Sequence, residues 1–158
     1  IKERFKFNLL FSVADKMLFD VIREKDNLVY SITMSKYFDQ FKPIEMISFY
    51  TYFGSDPENI ETIKKKIDEV FEDIKNKKFD KKIMDNQKTM LINEFKENLR
   101  SNKYWLTLME YSDQHNQNLE RFMNIELIIK SITAQDISRL AKKYLDDKYF
   151  RDIQLTSE

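Results

Sequence analysis

Arg23 and Tyr30, seven positions apart in the stretch DVIREKDNLVYSI (residues 20–32), carry the chemistry that this sequence offers most plainly. A guanidinium keeps its positive charge and presents a rigid fork of donors, whereas a phenol stays protonated at neutral pH and can donate to an oxyanion. Either the pair is ordinary architecture, or the two polar tips converge on something that is not part of this chain. Each residue also has an ordinary architectural reading. Arg23 at a helix C-terminus would interact with free carbonyls, an effect of roughly 0.3–1 kcal/mol. Tyr30 would pack as a core aromatic beside Leu28, Ile32 and Met34 on one strand face.

Other chemistries lack their residues. There is no cysteine, which excludes disulfides, thiolate nucleophiles and cysteine zinc sites. Gly54 is the only glycine and His115 the only histidine. Phosphate-cradling loops need several glycines, and the nucleophile elbow needs them on both sides of its serine. Zinc hydrolases of the H-E-x-x-H or H-x-x-E-H type need a pair of histidines one helical turn apart. His115 sits in the polar SDQHNQNLE with Asn118 and Leu119 one turn on, so it is expected at the surface and not at a metal.

To bring Arg23 and Tyr30 together the chain needs a helix, a turn and a strand, and its hydrophobic pattern supplies them. From about Glu3 to Arg23, Phe7, Leu10, Phe11, Ala14, Leu18, Val21 and Ile22 recur at three- and four-residue steps, the stripe of an amphipathic helix. Leu28, Tyr30, Ile32 and Met34 then alternate with Val29, Ser31, Thr33 and Ser35, as in a half-buried strand. A loop ending at Pro43 leads to IEMISFYTYF, and the two strands should form an antiparallel hairpin. In GSDPEN, Gly54 is expected to turn the chain, Asp56 to cap free amides and Pro57 to open a helix.

That helix buries Ile60, Ile63, Ile67, Val70, Phe71 and Ile74 and ends in the polar junction KNKKFDKK. Asp80 then caps a long helix with Ile83, Met84, Met90, Leu91, Phe95 and Leu99 inward, loosened near Asn102 before Tyr104, Trp105, Leu108 and Met109 resume the pattern. A shorter helix is expected around Asn124 to Lys130. Thr133 and Asp136 form a capping-box variant ahead of Ile137, Leu140, Ala141 and Tyr144, and YFRDIQLT is strand-like. Helix, two strands, three or four helices and a strand imply an α+β fold, an antiparallel sheet with helices packed on one face. With no internal repeat or low-complexity linker, residues 1–158 are expected to form a single domain, truncated at its N-terminus.

Charge narrows the partners. The 27 basic and 27 acidic residues cancel and give no global field for a polyanion, so no nucleic acid is expected, and NKKFDKK fits a solvated junction. No apolar run is long enough to span a bilayer, so no membrane span is expected, and IKERFKFNLLF lacks the cleavage pattern of a signal peptide.

With these elements placed, LFDVIREKDNLVYSI resembles a segment of pitrilysin-like, insulinase-type M16 zinc peptidases: a leucine-rich helix, an Arg-Glu pair, a tight turn, then Tyr-Ser-Val. Three further stretches resemble the same family in the same order. FGSDPENIETIKKKIDEVFEDI is similar to its strand and Asp-Pro-Glu helix start, NLRSNKYWL to its Asn-x-Tyr-Trp stretch, and SITAQDISRLAKKYL to its closing helix. The resemblance is to the C-terminal, non-zinc-binding module. It implies a LuxS/MPP-like metallohydrolase module, here incomplete at its N-terminus and part of a longer protein of the bacterial periplasm or cytoplasm, the periplasm being favoured.

The resemblance further implies no metal in this chain and zinc in the parent enzyme. That zinc would be bound through H-x-x-E-H in an N-terminal module, on the same chain or a separate subunit, which together with this one encloses a chamber for peptide substrate. Arg23 and Tyr30 match the positions that reach toward the bound peptide, supporting binding and transition-state stabilisation, with no catalytic residue in this chain alone. Asn27-Leu28-Val29 stands where many members have glycine or alanine before the tyrosine, which alters the turn and keeps the Arg-to-Tyr spacing. The alternative is a catalytically inactive scaffold of the same fold that serves only to bind a partner subunit.

Overall fold

Leu9, Leu10, Val13, Ala14, Met17 and Leu18 occupy a broad arc of the first helix, wider than the stripe read from spacing, and all are buried. A helix with so wide an apolar arc must be covered from several sides. In the computed structural model, which describes residues 2–26, 28–39, 46–114, 116 and 118–155, helix α1 (Lys2–Leu18) is packed against by both helices and sheet. It touches β1 (Ser31–Asp39), α2 (Ile60–Lys75), α3 (Lys81–Asn98), α6 (Ile125–Lys130) and α7 (Ala134–Tyr144).

Strands β1 and β2 (Met46–Gly54) pair antiparallel, with Ser31 opposite Gly54 and Asp39 opposite Met46. Alternation divides the hairpin into two faces. Ile32 and Met34 are buried, and Ile47, Phe49 and Phe53 pack half-buried against the same core, with Phe49 stacked on Phe11 of α1 at 6.0 Å. Tyr37, Tyr50 and Tyr52 are exposed on the other face. The expected α+β arrangement, helices on one face of an antiparallel sheet, is the one observed. One carboxylate ties the layers: Asp15 of α1 accepts from the Met34 amide at 3.1 Å.

The helical layer is fixed at its ends. Asp80 caps α3 by accepting from the Lys82 amide at 2.8 Å. Thr133 and Asp136 form the expected capping box at α7, with Asp136 Oδ2 accepting from the Thr133 amide at 3.0 Å and Thr133 Oγ1 from the Asp136 amide at 3.1 Å. The Thr133 amide, chiefly, and the Lys6 ammonium beside it draw the Asp136 carboxyl down from its ordinary 3.8 to about 2. Ser138, buried in α7, donates to the Lys75 carbonyl at the end of α2. Beyond α2, Lys77 takes a left-handed conformation, φ 59°, the position that glycine often fills after a helix. A smaller cluster of Ile92, Leu108, Phe122, Ile125 and Ile129 joins α3 to α4 (Asn102–Gln114), α5 (Glu120–Met123) and α6.

Several expectations need correction. The first helix does not stop at Arg23; it passes into a π-helical segment, Phe19–Lys25. The strand begins at Ser31, so Tyr30 precedes it. Gly54 lies in β2 without a positive φ, and the turn falls to the residues after it. A 3₁₀ turn, Pro57–Asn59, comes before α2. The stripe of α3 is shifted: Ile92 is buried where Met90 is 62% exposed, and Met109 of α4 is also exposed. The short helix around Asn124 is two pieces, α5 and α6, and Tyr144 lies at the surface against the edge of Phe7. Asp147–Tyr149 form a 3₁₀ turn and residues 150–155 are in no strand; Phe150 stacks on Phe71 of α2 at 5.7 Å and Asp152 pairs with Lys64 of the same helix, so this stretch is held on α2. The Pro43 loop end, Asn27 and His115 lie outside the described residues.

Leu18→Ala, at a side chain wholly removed from water, should cost roughly 2–5 kcal/mol, whereas Met90→Ala should stay within about 0.5 kcal/mol in urea unfolding. Gly54→Ala should be neutral or stabilising by up to about 1 kcal/mol in the same measurement, since nothing lies within 4 Å of the added Cβ. Asp136 is the group whose folded pKa is depressed, so its contribution is complete above the ordinary carboxylate range and is lost as pH falls from about 4 toward about 2. The stability difference between the protein and Asp136→Asn, followed by thermal melting, should be constant near neutral pH and vanish across that window.

Candidate functional site

The π segment decides where Arg23 sits. Its wider turn is closed by the Asp26 amide donating to the Val21 carbonyl at 3.2 Å, and the Leu28 amide reaches the Ile22 carbonyl at 3.0 Å. Ile22 remains fully buried through this change of geometry, which holds the backbone of the next residue against the core and leaves Arg23 half-buried. Asp26, at the end of the segment, is tied to α2 by the Lys66 ammonium 3.0 Å from Oδ2. The turn toward the strand is therefore held from both sides.

Val29, not Tyr30, takes the buried position before the strand, at 3% exposure. Strict alternation from Ile32 would have put Tyr30 inward; the bend at Tyr30 breaks that phase and leaves its ring 71% exposed. The core-aromatic reading of Tyr30 does not hold. Its amide still continues the hairpin by donating to the Gly54 carbonyl at 2.9 Å, which sets Ser55 and Asp56 beside it.

The Tyr30 hydroxyl donates to Asp56 Oδ1 at 2.8 Å. Asp56 has the extended backbone expected of a helix cap, φ −64° and ψ 143°, yet its side chain makes no capping bond; its carbonyl, not its carboxylate, accepts from the Asn59 amide at 3.0 Å. That is a second correction to the sequence reading: the carboxylate is directed to the phenol. The hydrogen bond to Asp56, then the nearby charge, raises the Tyr30 phenol above its ordinary value.

Arg23, Leu28, Val29, Tyr30, Asp56 and Asn59 line one open recess of about 180 Å³. The structure thus brings both sequence-predicted residues to one place and adds Asp56 and Asn59. Asp56 was legible only as a cap, because its link to Tyr30 depends on hairpin register across 26 residues. A register fixed by pairing Ser31 with Gly54 would have been the signal.

The recess can offer charged donors from the guanidinium, a phenol and a carboxylate acceptor. It does not fit a catalytic metal. The chain has one histidine and no cysteine, and no group of three or more histidine, aspartate or glutamate side chains among the described residues could hold an ion. No helix among them is long and apolar enough to cross a membrane.

Residues 4–91 match the family described as the peptidase M16 inactive domain. Three solved structures are similar in fold. A conserved protein from Enterococcus faecalis V583 matches with a TM-score of 0.77 at 20% identity over 88% of this chain and 32% of its own. A protease from Helicobacter pylori matches at 0.68 and 18% over 89% and 35%. The periplasmic protease PqqL from Escherichia coli matches at 0.73 and 18% over 92% and 16%. This chain therefore spans about a third or less of the length of each of these three proteins. No curated protein sequence matches it. The matched segment contains the helix, the π segment, the hairpin and the Asp56 turn that together build the recess, and it covers more than half of the chain: the protein belongs to the peptidase M16 inactive domain family.

Proposed function

We propose that this chain is the non-catalytic module of an M16-type zinc peptidase, which pairs with a zinc-binding module to enclose a substrate chamber and presents Arg23 and Tyr30 to the bound peptide. The observation that carries this reading is the convergence of the two side chains on one open recess, with the tyrosine ring exposed to an incoming ligand. Membership of a domain family described as inactive supports a supporting role, and two of the similar structures are proteases, one of them periplasmic.

The chemistry follows from the groups. The Arg23 guanidinium offers a rigid fork of donors that can reach a peptide carbonyl, fixing the substrate's register. Tyr30, with its phenol held above the ordinary range, stays protonated near neutrality and can donate to the oxyanion of the acyl-transfer transition state. Zinc belongs to the other module in this reading, because the donor set here does not fit it. The scaffold alternative assigns the same fold to partner binding alone.

Tyr30→Phe in the assembled peptidase should lower turnover by about 10²–10³-fold, the scale of one lost oxyanion donor, with zinc content and folding unchanged. A steady-state rate equal to that of the parent protein would remove the tyrosine from the mechanism and leave the scaffold reading.

A further inference from the structure

We propose that Asp56 is a positioning residue for Tyr30, holding the phenol by its O–H over the Arg23 recess so that the phenol oxygen faces a ligand as a hydrogen-bond acceptor. The inference rests on the reading of Arg23 and Tyr30 as peptide-binding residues and adds the group that aims one of them.

Two geometric facts carry it. An aspartate before Pro57, in extended backbone, ordinarily accepts from a first-turn amide; here its carboxylate instead reaches the hydroxyl of Tyr30 at 2.8 Å. The ring of Tyr30, 71% exposed, has little packing to fix its rotamer, so this bond sets where the oxygen points. Asp56 also lines the recess together with Arg23 and Asn59. The raised Tyr30 phenol is consistent with a carboxylate that stabilises its protonated form.

Counting protons then names the ligand. A phenol has a single proton, and while Asp56 accepts it, only lone pairs remain for a ligand; a guanidinium offers donors and no acceptor. A donor beside an acceptor matches the C=O and N–H of one residue in extended backbone, which point the same way, so the recess is suited to extended peptide backbone and not to an anion alone. For Tyr30 to serve an oxyanion, its hydroxyl exchanges one anionic acceptor, Asp56, for another, and the proton stays on the phenol throughout.

The test has separable arms. In the chain labelled with ¹³C-tyrosine, the Tyr30 signal, assigned by its loss in Tyr30→Phe, should titrate above the ordinary tyrosine range, and both Asp56→Asn and Asp56→Ala should lower it. An unchanged titration in both variants overturns the Asp56–Tyr30 link. In the assembled peptidase, Asp56→Ala should raise the KM for peptide roughly threefold to tenfold, the scale of one hydrogen bond, without lowering kcat, since the hydroxyl no longer has to leave Asp56 for the oxyanion, and should have no further effect in a Tyr30→Phe background. An equal rise in both backgrounds assigns Asp56 to the helix start and overturns the positioning role. Failure of the peptide-binding reading itself is told apart by Tyr30→Phe alone, whose normal turnover would remove that reading while the titration still reports whether Asp56 holds the phenol.

Discussion

Leu9, Val13, Leu18 and Ile22 lie on successive turns of one continuous helical run and have no contact with water, and this burial is the constraint on which the recess depends. Four helices and a strand close over α1, so the run cannot rotate without exposing aliphatic surface at about 25 cal/mol per Å². The change from α to π geometry after Leu18 is absorbed without lifting Ile22 from the core. Arg23 inherits its place from its neighbour. A surface arginine on a free helix end would sample many positions; this one leaves a backbone pinned one residue earlier by packing and three residues later by the Asp26–Lys66 pair.

Balanced charge is used in two ways along the chain. Several acidic and basic residues pair within one helical turn, as Glu3 with Lys6, Glu61 with Lys64, and Glu126 with Lys130, and such exposed pairs contribute little to stability. Pairs that join elements have structural consequence: Lys6 with Asp136 links α1 to the capping box of α7, and Lys66 with Asp26 links α2 to the π turn. In the lysine-rich junction, Lys77 donates to Gln135 at the start of α7, so that cation also serves the fold.

Local chemistry was legible in the sequence and long-range register was not. Asp80 and the Thr133–Asp136 box act within a few residues of themselves, and both caps were read correctly. The hairpin followed from period-two alternation, because the buried face selects that period. By contrast, an apolar stripe does not fix its own phase: Met90 and Ile92 both fit α3, and only the neighbouring α4 to α6 cluster selects Ile92. A π turn has no period of its own to detect, and YFRDIQLT has strand-like composition but is held on α2 through Phe150 and Asp152. The spacing from Arg23 to Tyr30 was legible. That Tyr30 turns outward, and that Asp56 meets it, required the register of strands joined 26 residues apart.

Asp56 stands between two uses of one carboxylate, and the choice bears on what the recess is for. Capping the turn at Pro57 would contribute about 1 kcal/mol to the helix that follows. A bond to the hydroxyl of an exposed tyrosine gives the fold less, since water competes for both partners. Helix stability alone therefore favours the cap, yet the carboxylate goes to the phenol. The 3₁₀ turn at Pro57–Asn59 offsets part of the loss by closing on the Asp56 carbonyl instead. A local capping rule is thus set aside at the edge of the recess, in favour of a contact that hairpin register makes possible.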